Sequence, residues 1–279
     1  MRLVWQLLAV MAVAFVGGQV VQNVQDNPWL TLALGVGTAV LAVLVHRWVV
    51  RRTERRPVTE LGRQGAPGAL FLGTLLGVGL FTAVIGNIYA LGGYEVLGLG
   101  SPTGAVGLFG FMAAAAATEE LIFRGILFRI IEERGGTWTA LLVTSVLFGA
   151  WHLLNPNASV WGAVAIAIEA GTMLGAAYAA TRTLWVPIGL HFGWNLAASA
   201  IFSTEVSGND TPQGLLDSTT SGARLITGGD FGPEASLYSV LFCVLTAVVF
   251  MWLARRRGHL TPRRGRAERL AAPVTTLPR

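Results

Sequence analysis

The chain has 279 residues, of which 53% are hydrophobic and only 13% charged, with 20 basic and 15 acidic side chains and a net charge of +5. A water-soluble domain carries about twice that charged fraction. With a mean hydropathy of +0.59, the composition excludes a soluble core and points to an all-α, polytopic membrane helix bundle. The basic excess, which is all arginine, reads as cytoplasmic loops rather than as a nucleic-acid footprint, so no nucleic-acid partner is expected. A single cysteine, Cys243, excludes an intramolecular disulfide and a CxxC metal site.

Eight apolar stretches follow one another at about the length that spans a bilayer: 3–22, 29–50, 67–91, 104–132, 138–153, 160–180, 184–203 and 235–254. The first has one arginine, Arg2, a long apolar run and no small-residue cleavage motif, so it reads as a membrane helix rather than a signal peptide. The fourth is long, and its end is expected to leave the membrane; the fifth is short. The loop 204–234 is rich in Gly, Ser, Thr and Asp and reads as flexible. The tail after 258, with Pro262, Pro273 and Pro278, reads as disordered. The chain thus divides into N-terminal spans with a basic loop (1–100), a helical core (101–203), a polar outer loop (204–234), and a last span with a basic tail (235–279).

Arginine placement sets the orientation. Arg2, the group Arg47, Arg51, Arg52, Arg55, Arg56 and Arg63, then Arg129, Arg134, Arg182 and the arginines from 255 onward all fall on one side of an eight-span chain. The opposite loops carry only Arg224, together with Asp26, Glu95, Glu205, Asp210, Asp217, Asp230 and Glu234. The positive-inside rule therefore puts both termini in the cytoplasm of a multi-pass cell-membrane protein. The basic loop can also contact anionic headgroups of the lipid bilayer.

Ionisable residues at membrane depth each cost at least ~2.5–3.5 kcal/mol and need a reason. Those singled out are Glu119, Glu120, Arg124, His152, Glu169 and His191, with the amide of Asn195 beside them. Glu120 and Arg124 are four apart on one helix face and can pair, while Glu119 is turned ~100° away. His191 and Asn195 are again four apart and can both donate to one point, which suits a developing oxyanion. Each feature alone has a structural reading: a Glu–Arg pair locking helices, a packed histidine, a polar latch. Together they fit one hydrated cavity, in which a carboxylate and an imidazole suffice to activate water.

Glu119-Glu120-x-x-x-Arg124, Phe148-x-x-x-His152 and His191-x-x-x-Asn195, in this order on successive helices, resemble the signature motifs of the CPBP family. These are the CAAX proteases and bacteriocin-processing (Abi) enzymes, including the Rce1-type prenyl-protein endopeptidases. Gly125 and the stretch Leu184-Trp185-Val186-Pro187-Ile188 agree, and the likeness covers roughly 104–200. It implies an intramembrane endopeptidase whose catalytic core is 101–203. Glu119 and His152 would activate water, Glu120 and Arg124 would shape the site, and His191 and Asn195 would stabilise the oxyanion. No cofactor is required by this reading. A divalent metal such as zinc stays open, with Glu119, His152 and His191 as its ligand set. Glu169 is outside the motifs, and either lines the cavity or bonds a neighbouring helix.

The absence of H-E-x-x-H, of an intramembrane G-x-G-D and of Gly-x-Ser-Gly sets aside three other intramembrane protease classes. The alternatives are a non-catalytic scaffold or immunity protein of the same fold and, third, a transporter. The expected substrate is a membrane-bound protein or peptide; the arginine-only composition points to a bacterium, where prenylated proteins are not expected. One feature is awkward: Glu119 falls mid-span and His152 at the outer end of a short span, which a pairing tolerates only if that span is tilted or re-entrant.

Overall fold

The computed structural model describes residues 1–263. The tail beyond 263, expected to be disordered and basic, lies outside the described residues. All eight apolar stretches are helical: α1 Arg2–Gln22, α2 Pro28–Glu54, α3 Ala66–Ala90, α4 Pro102–Glu120, α5 Arg129–Trp151, α6 Val160–Ile166 with α7 Thr172–Thr181, α8 Trp185–Leu196, and, after a short α9 Arg224–Thr227, α10 Leu237–Arg256. Among the described residues, six helices are long and apolar enough to cross a membrane. The count is below eight because Pro102–Leu154 runs as one bent helix of 53 residues, and α8 with its π-helical extension Ala197–Ile201 is short.

The bundle has two distinct ends. At one end the loops 55–65 and 182–184, the bend near Gly136 and the start of α1 meet: Leu184 N donates to Glu60 O, Trp185 Nε1 to Gly62 O, and Arg2 pairs with Glu133. The beginning of the tail is docked here too. Thr137 N donates to Thr261 O and Thr261 N to the Thr137 hydroxyl, so residues 258–261, expected to be disordered, are packed on the bundle. At the other end lie the loops 23–27, 91–101, 152–159 and 202–236. The four helices that enter the bundle from this end, α2, α4, α6 and α10, each begin with a side-chain cap, from Asn27, Ser101, Ser159 and Ser236, which satisfies a helix-start N–H where the chain turns back into the bundle.

The loop 204–234, expected to be flexible, is folded onto this second end. Strand β1 (Tyr94–Leu99) pairs antiparallel with β2 (Leu216–Thr220), with Tyr94 opposite Thr220 and Leu99 opposite Leu216. The loop is further held by Asn157 N to Gly208 O and Gly208 N to Phe231 O. Its polar composition concealed this because the partners that order it come from segments far away in sequence.

Two close helix crossings fix the elements that carry the polar residues. On α3 and α8, glycines face each other's backbones: a Cβ on Gly77 would lie 2.2 Å from Leu190 O, and one on Gly193 2.1 Å from Thr74 O. On α2 and α4, a Cβ on Gly35 would lie 2.2 Å from Gly110 O. Small residues permit this approach, and dispersion between the backbones supports it where lipid offers no hydrophobic drive.

The long helix resolves the depth difficulty. From 102 to 135 it measures roughly 50 Å at 1.5 Å per residue, well over the ~30 Å of hydrocarbon. It turns at Gly136, whose φ of 78° and ψ of 170° break the helix. Glu119 stands 17 residues before Gly136 and His152 16 after it. In the hairpin so formed the two residues are level, and no re-entrant span is needed.

Candidate active site

Glu119 and Glu120 end α4, and the chain continues as a π-helical segment, Leu121–Phe128. The two carboxylates diverge as the helical rotation requires. Glu120 is fully buried, and its Oε1 accepts from Arg124 Nη1 at 2.7 Å. The other guanidinium nitrogen, Nη2, donates to the carbonyls of Ala170 and Gly171 at 2.9 and 3.0 Å. Those carbonyls belong to a second π-helical turn, Ala167–Gly171, where the wide pitch frees acceptors that an α-helix would use itself. Arg124 thereby ties the 120s to the sixth apolar stretch and is itself fully buried.

Phe148 is the hub for the histidines. Its ring lies 4.8 Å from the His152 ring and 6.0 Å from that of His191, centroid to centroid, and the Arg124 guanidinium sits over it at 4.7 Å. The phenylalanine of the Phe148-x-x-x-His152 motif therefore has a packing reason.

The two imidazoles are tethered differently. His152 Nδ1 lies 2.7 Å from Phe148 O. A carbonyl only accepts, so Nδ1 carries the proton, and in the neutral ring Nε2 holds a lone pair. His191 Nδ1 lies 3.0 Å from Glu120 Oε1, and its Nε2 lies 3.9 Å from Glu119 Oε2. Glu120 thus bridges Arg124 and His191. Glu119 is the partly open one of the two, its side chain 22% exposed, and its Oε2 has no hydrogen-bond partner.

Glu119, His152, His191 and Asn195, from α4, the end of α5 and α8, line one polar cavity of about 150 Å³. Glu120 and Arg124 stand behind it. A groove of about 610 Å³ between α1, α4 and α5 opens into it, walled by apolar residues such as Met11, Phe15, Ile122 and Leu147, and the two share Phe111, Ala115, Glu119, Trp151, Asn155 and Asn209. As for a metal, the described residues contain no group of three His, Cys, Asp or Glu side chains gathered to hold one. Glu119, His152 and His191 line the cavity without forming such a group.

Three buried ionisable groups escaped the reading of the motifs. Glu234, in the loop before α10, is buried; it accepts from Trp194 Nε1 at 2.9 Å and from the Ser207 hydroxyl at 2.8 Å. Burial pushes its carboxyl above the usual carboxylate range, although these hydrogen bonds oppose the shift. Glu169 is 1% exposed, with neither carboxylate oxygen hydrogen-bonded, so it does not bond a neighbouring helix. With Glu234 it borders a void of about 10 Å³ behind His152, His191 and Asn195, about the room for one water. His46 on α2 is wholly buried, with Nε2 3.9 Å from Glu60 Oε1. It fills the space left by Gly125, where a Cβ would lie 2.7 Å from His46 Cε1. Glu169 and His46 were visible as charges in apolar runs; Glu234 sits in a polar loop, and nothing local marks it.

No curated protein and no solved structure matches the chain. Residues 101–197 match the family model described as type II CAAX prenyl endopeptidase Rce1-like. That stretch, about a third of the chain, is similar to the Rce1-like family and contains Glu119, Glu120, Arg124, His152, His191 and Asn195.

Proposed function

We propose that this protein is an intramembrane endopeptidase that hydrolyses peptide bonds of a membrane-associated protein or peptide with water activated by Glu119 and His152. The observation that carries this reading is the shared cavity: four polar side chains from three helices, at membrane depth, face one space of about 150 Å³. A structural pair or latch explains each of them singly but not their convergence.

The chemistry follows from how each group is tethered. A water between Glu119 and His152 gives its proton to the unpaired Glu119 carboxylate while the His152 Nε2 lone pair accepts its second hydrogen bond. The oxygen attacks the carbonyl carbon, and the carbonyl oxygen becomes an oxyanion facing His191 and Asn195. The Glu120 carboxylate orients His191 and stabilises its imidazolium, so that Nε2–H points to the oxyanion. Collapse breaks the C–N bond, and the departing amine takes the proton from Glu119, leaving a free amine and a carboxylic acid, which then gives its proton to water. Glu120 and Arg124 are positioning residues here. The apolar groove that reaches Glu119 suits a substrate with a lipid-embedded segment beside the bond that is cut.

The test compares new N-terminal peptides in membranes of three strains: wild type, a deletion, and Glu119→Ala. The reading predicts termini present in the wild type and absent from both others, with the Glu119→Ala protein folded in the membrane. Full biological activity of Glu119→Ala would overturn it and favour a non-catalytic scaffold of the same fold.

A further inference from the structure

The two ends of the bundle differ in charge, and the site belongs to only one of them. Among the described residues, the end built from the loops 55–65 and 182–184, the bend at Gly136 and the start of the tail carries Arg2, the six arginines from 47 to 63, Arg129, Arg134, Arg182, Arg255, Arg256, Arg257 and Arg263. Its acidic residues, Glu54, Glu60, Glu132 and Glu133, are all paired with arginines. The opposite end carries Arg224 alone against Asp26, Glu95, Glu205, Asp210, Asp217, Asp230 and Glu234.

The cavity opens toward the acidic end. His152 is the first residue after α5 where that helix reaches this end. The remaining rim comes from the end's own loops: Asn155, Val206, Ser207 and Asn209. Asn155 Nδ2 donates to Ser207 O, joining two of those loops at the mouth, and Asn209 is exposed. Glu120, bonded to the cavity-lining His191, and its partner Arg124 are wholly buried. An arginine excess in short loops marks the cytoplasmic side.

We infer that the site faces away from the cytoplasm, and that its substrates present the bond to be cut on the extracytoplasmic side of the membrane. They would be membrane-anchored peptides or proteins with an exposed segment just outside the bilayer, rather than tails offered from the cytoplasm. The sidedness stands on the charge distribution and the position of the mouth; the substrate class rests also on the protease reading above.

Cysteine labelling separates the two. In a Cys243→Ala background, cysteines are placed singly at Asn209 on the mouth, at Thr219 on β2 and at Thr59 on the arginine end, each an exposed position. A membrane-impermeant maleimide is applied to bacterial spheroplasts expressing each full-length variant, before and after permeabilisation. The inference expects Asn209→Cys and Thr219→Cys to label fully in intact spheroplasts, and Thr59→Cys to rise at least about tenfold only after permeabilisation. The reverse pattern, or equal labelling of both ends in intact spheroplasts, overturns it. Thr219→Cys, far from the cavity lining, guards against misfolding of the Asn209 variant. Labelling needs no activity, so a failed protease test leaves this result standing. If cleavage is found, bonds mapped to cytoplasmic segments of the substrates would overturn the substrate class.

Discussion

The arginine end and the cavity use the same residue types and bond them in opposite ways. At the arginine end, Glu54 accepts from Arg129, Arg56 and Gln6, and Glu60 takes both terminal nitrogens of Arg56. Every carboxylate there has a partner, and the guanidinia also cap backbone carbonyls such as Leu61 O. Around the cavity Glu234 is so satisfied, but Glu120 is bonded through Oε1 alone. Among the described residues, Glu119 Oε2, Glu120 Oε2 and both oxygens of Glu169 lack hydrogen-bond partners, and His152 is bonded through Nδ1 alone. Unpaired polar atoms at depth cost free energy, and saturated ones do not react. On the proposed function, the difference separates a region that holds helices together from one that keeps groups available to water and substrate.

That comparison can be broken at several points. The largest effect is expected where the two styles meet, at Arg124. Arg124→Leu leaves the Glu120 carboxylate buried with only His191 beside it, and should lower stability by about 3–5 kcal/mol, read from unfolding in detergent. Adding Glu120→Gln should restore part of the loss; an unchanged midpoint for Arg124→Leu would mean the pair holds nothing. His191→Ala should cost about 10²–10³-fold in cleavage with a smaller change in stability. A rate within a few-fold of wild type would remove His191 from the oxyanion role.

Gly193→Ala tests the scaffold below the cavity. The added methyl meets Thr74 O, so α8 must shift, at about 1–3 kcal/mol, and His191 and Asn195 move with it. Near-wild-type stability together with full activity would show that the crossing does not set the site. The smallest effect is expected at Glu60. Burial opposes its charge, but the Arg56 guanidinium outweighs this and holds its carboxyl well below the ordinary value of 4.5. A depressed carboxyl stabilises the fold above its unfolded pKa and loses that contribution as pH falls. Wild-type stability in detergent should therefore decline below about pH 4.5, and Glu60→Gln should flatten that decline by about 1 kcal/mol, since Arg56 stays partly in water. Superimposable pH profiles would show that the pair contributes nothing.

Much of this was legible in the chain. Apolar runs of bilayer length mark the helices because backbone groups in lipid must be satisfied within the helix. The spacing of four places Glu120 with Arg124, and it puts His191 and Asn195 on one face of α8. What the sequence concealed was non-local. The level pairing of Glu119 with His152 depends on how far the helix runs before Gly136, and apolar periodicity does not measure that. Glu234 and the β1–β2 pairing depend on loops that meet only after the helices pack. The bond from Glu120 to His191 links residues 71 positions apart and could not be read from either helix alone.

The most direct measurement sets Glu119→Gln beside Glu60→Gln in liposomes, with cleavage of a wild-type substrate and the unfolding midpoint read on the same samples. Glu119→Gln should lose about 10²–10⁴-fold in cleavage and keep its midpoint, whereas Glu60→Gln should keep cleaving and unfold sooner at neutral pH. Wild-type cleavage by Glu119→Gln would contradict the assignment of the free carboxylate to chemistry.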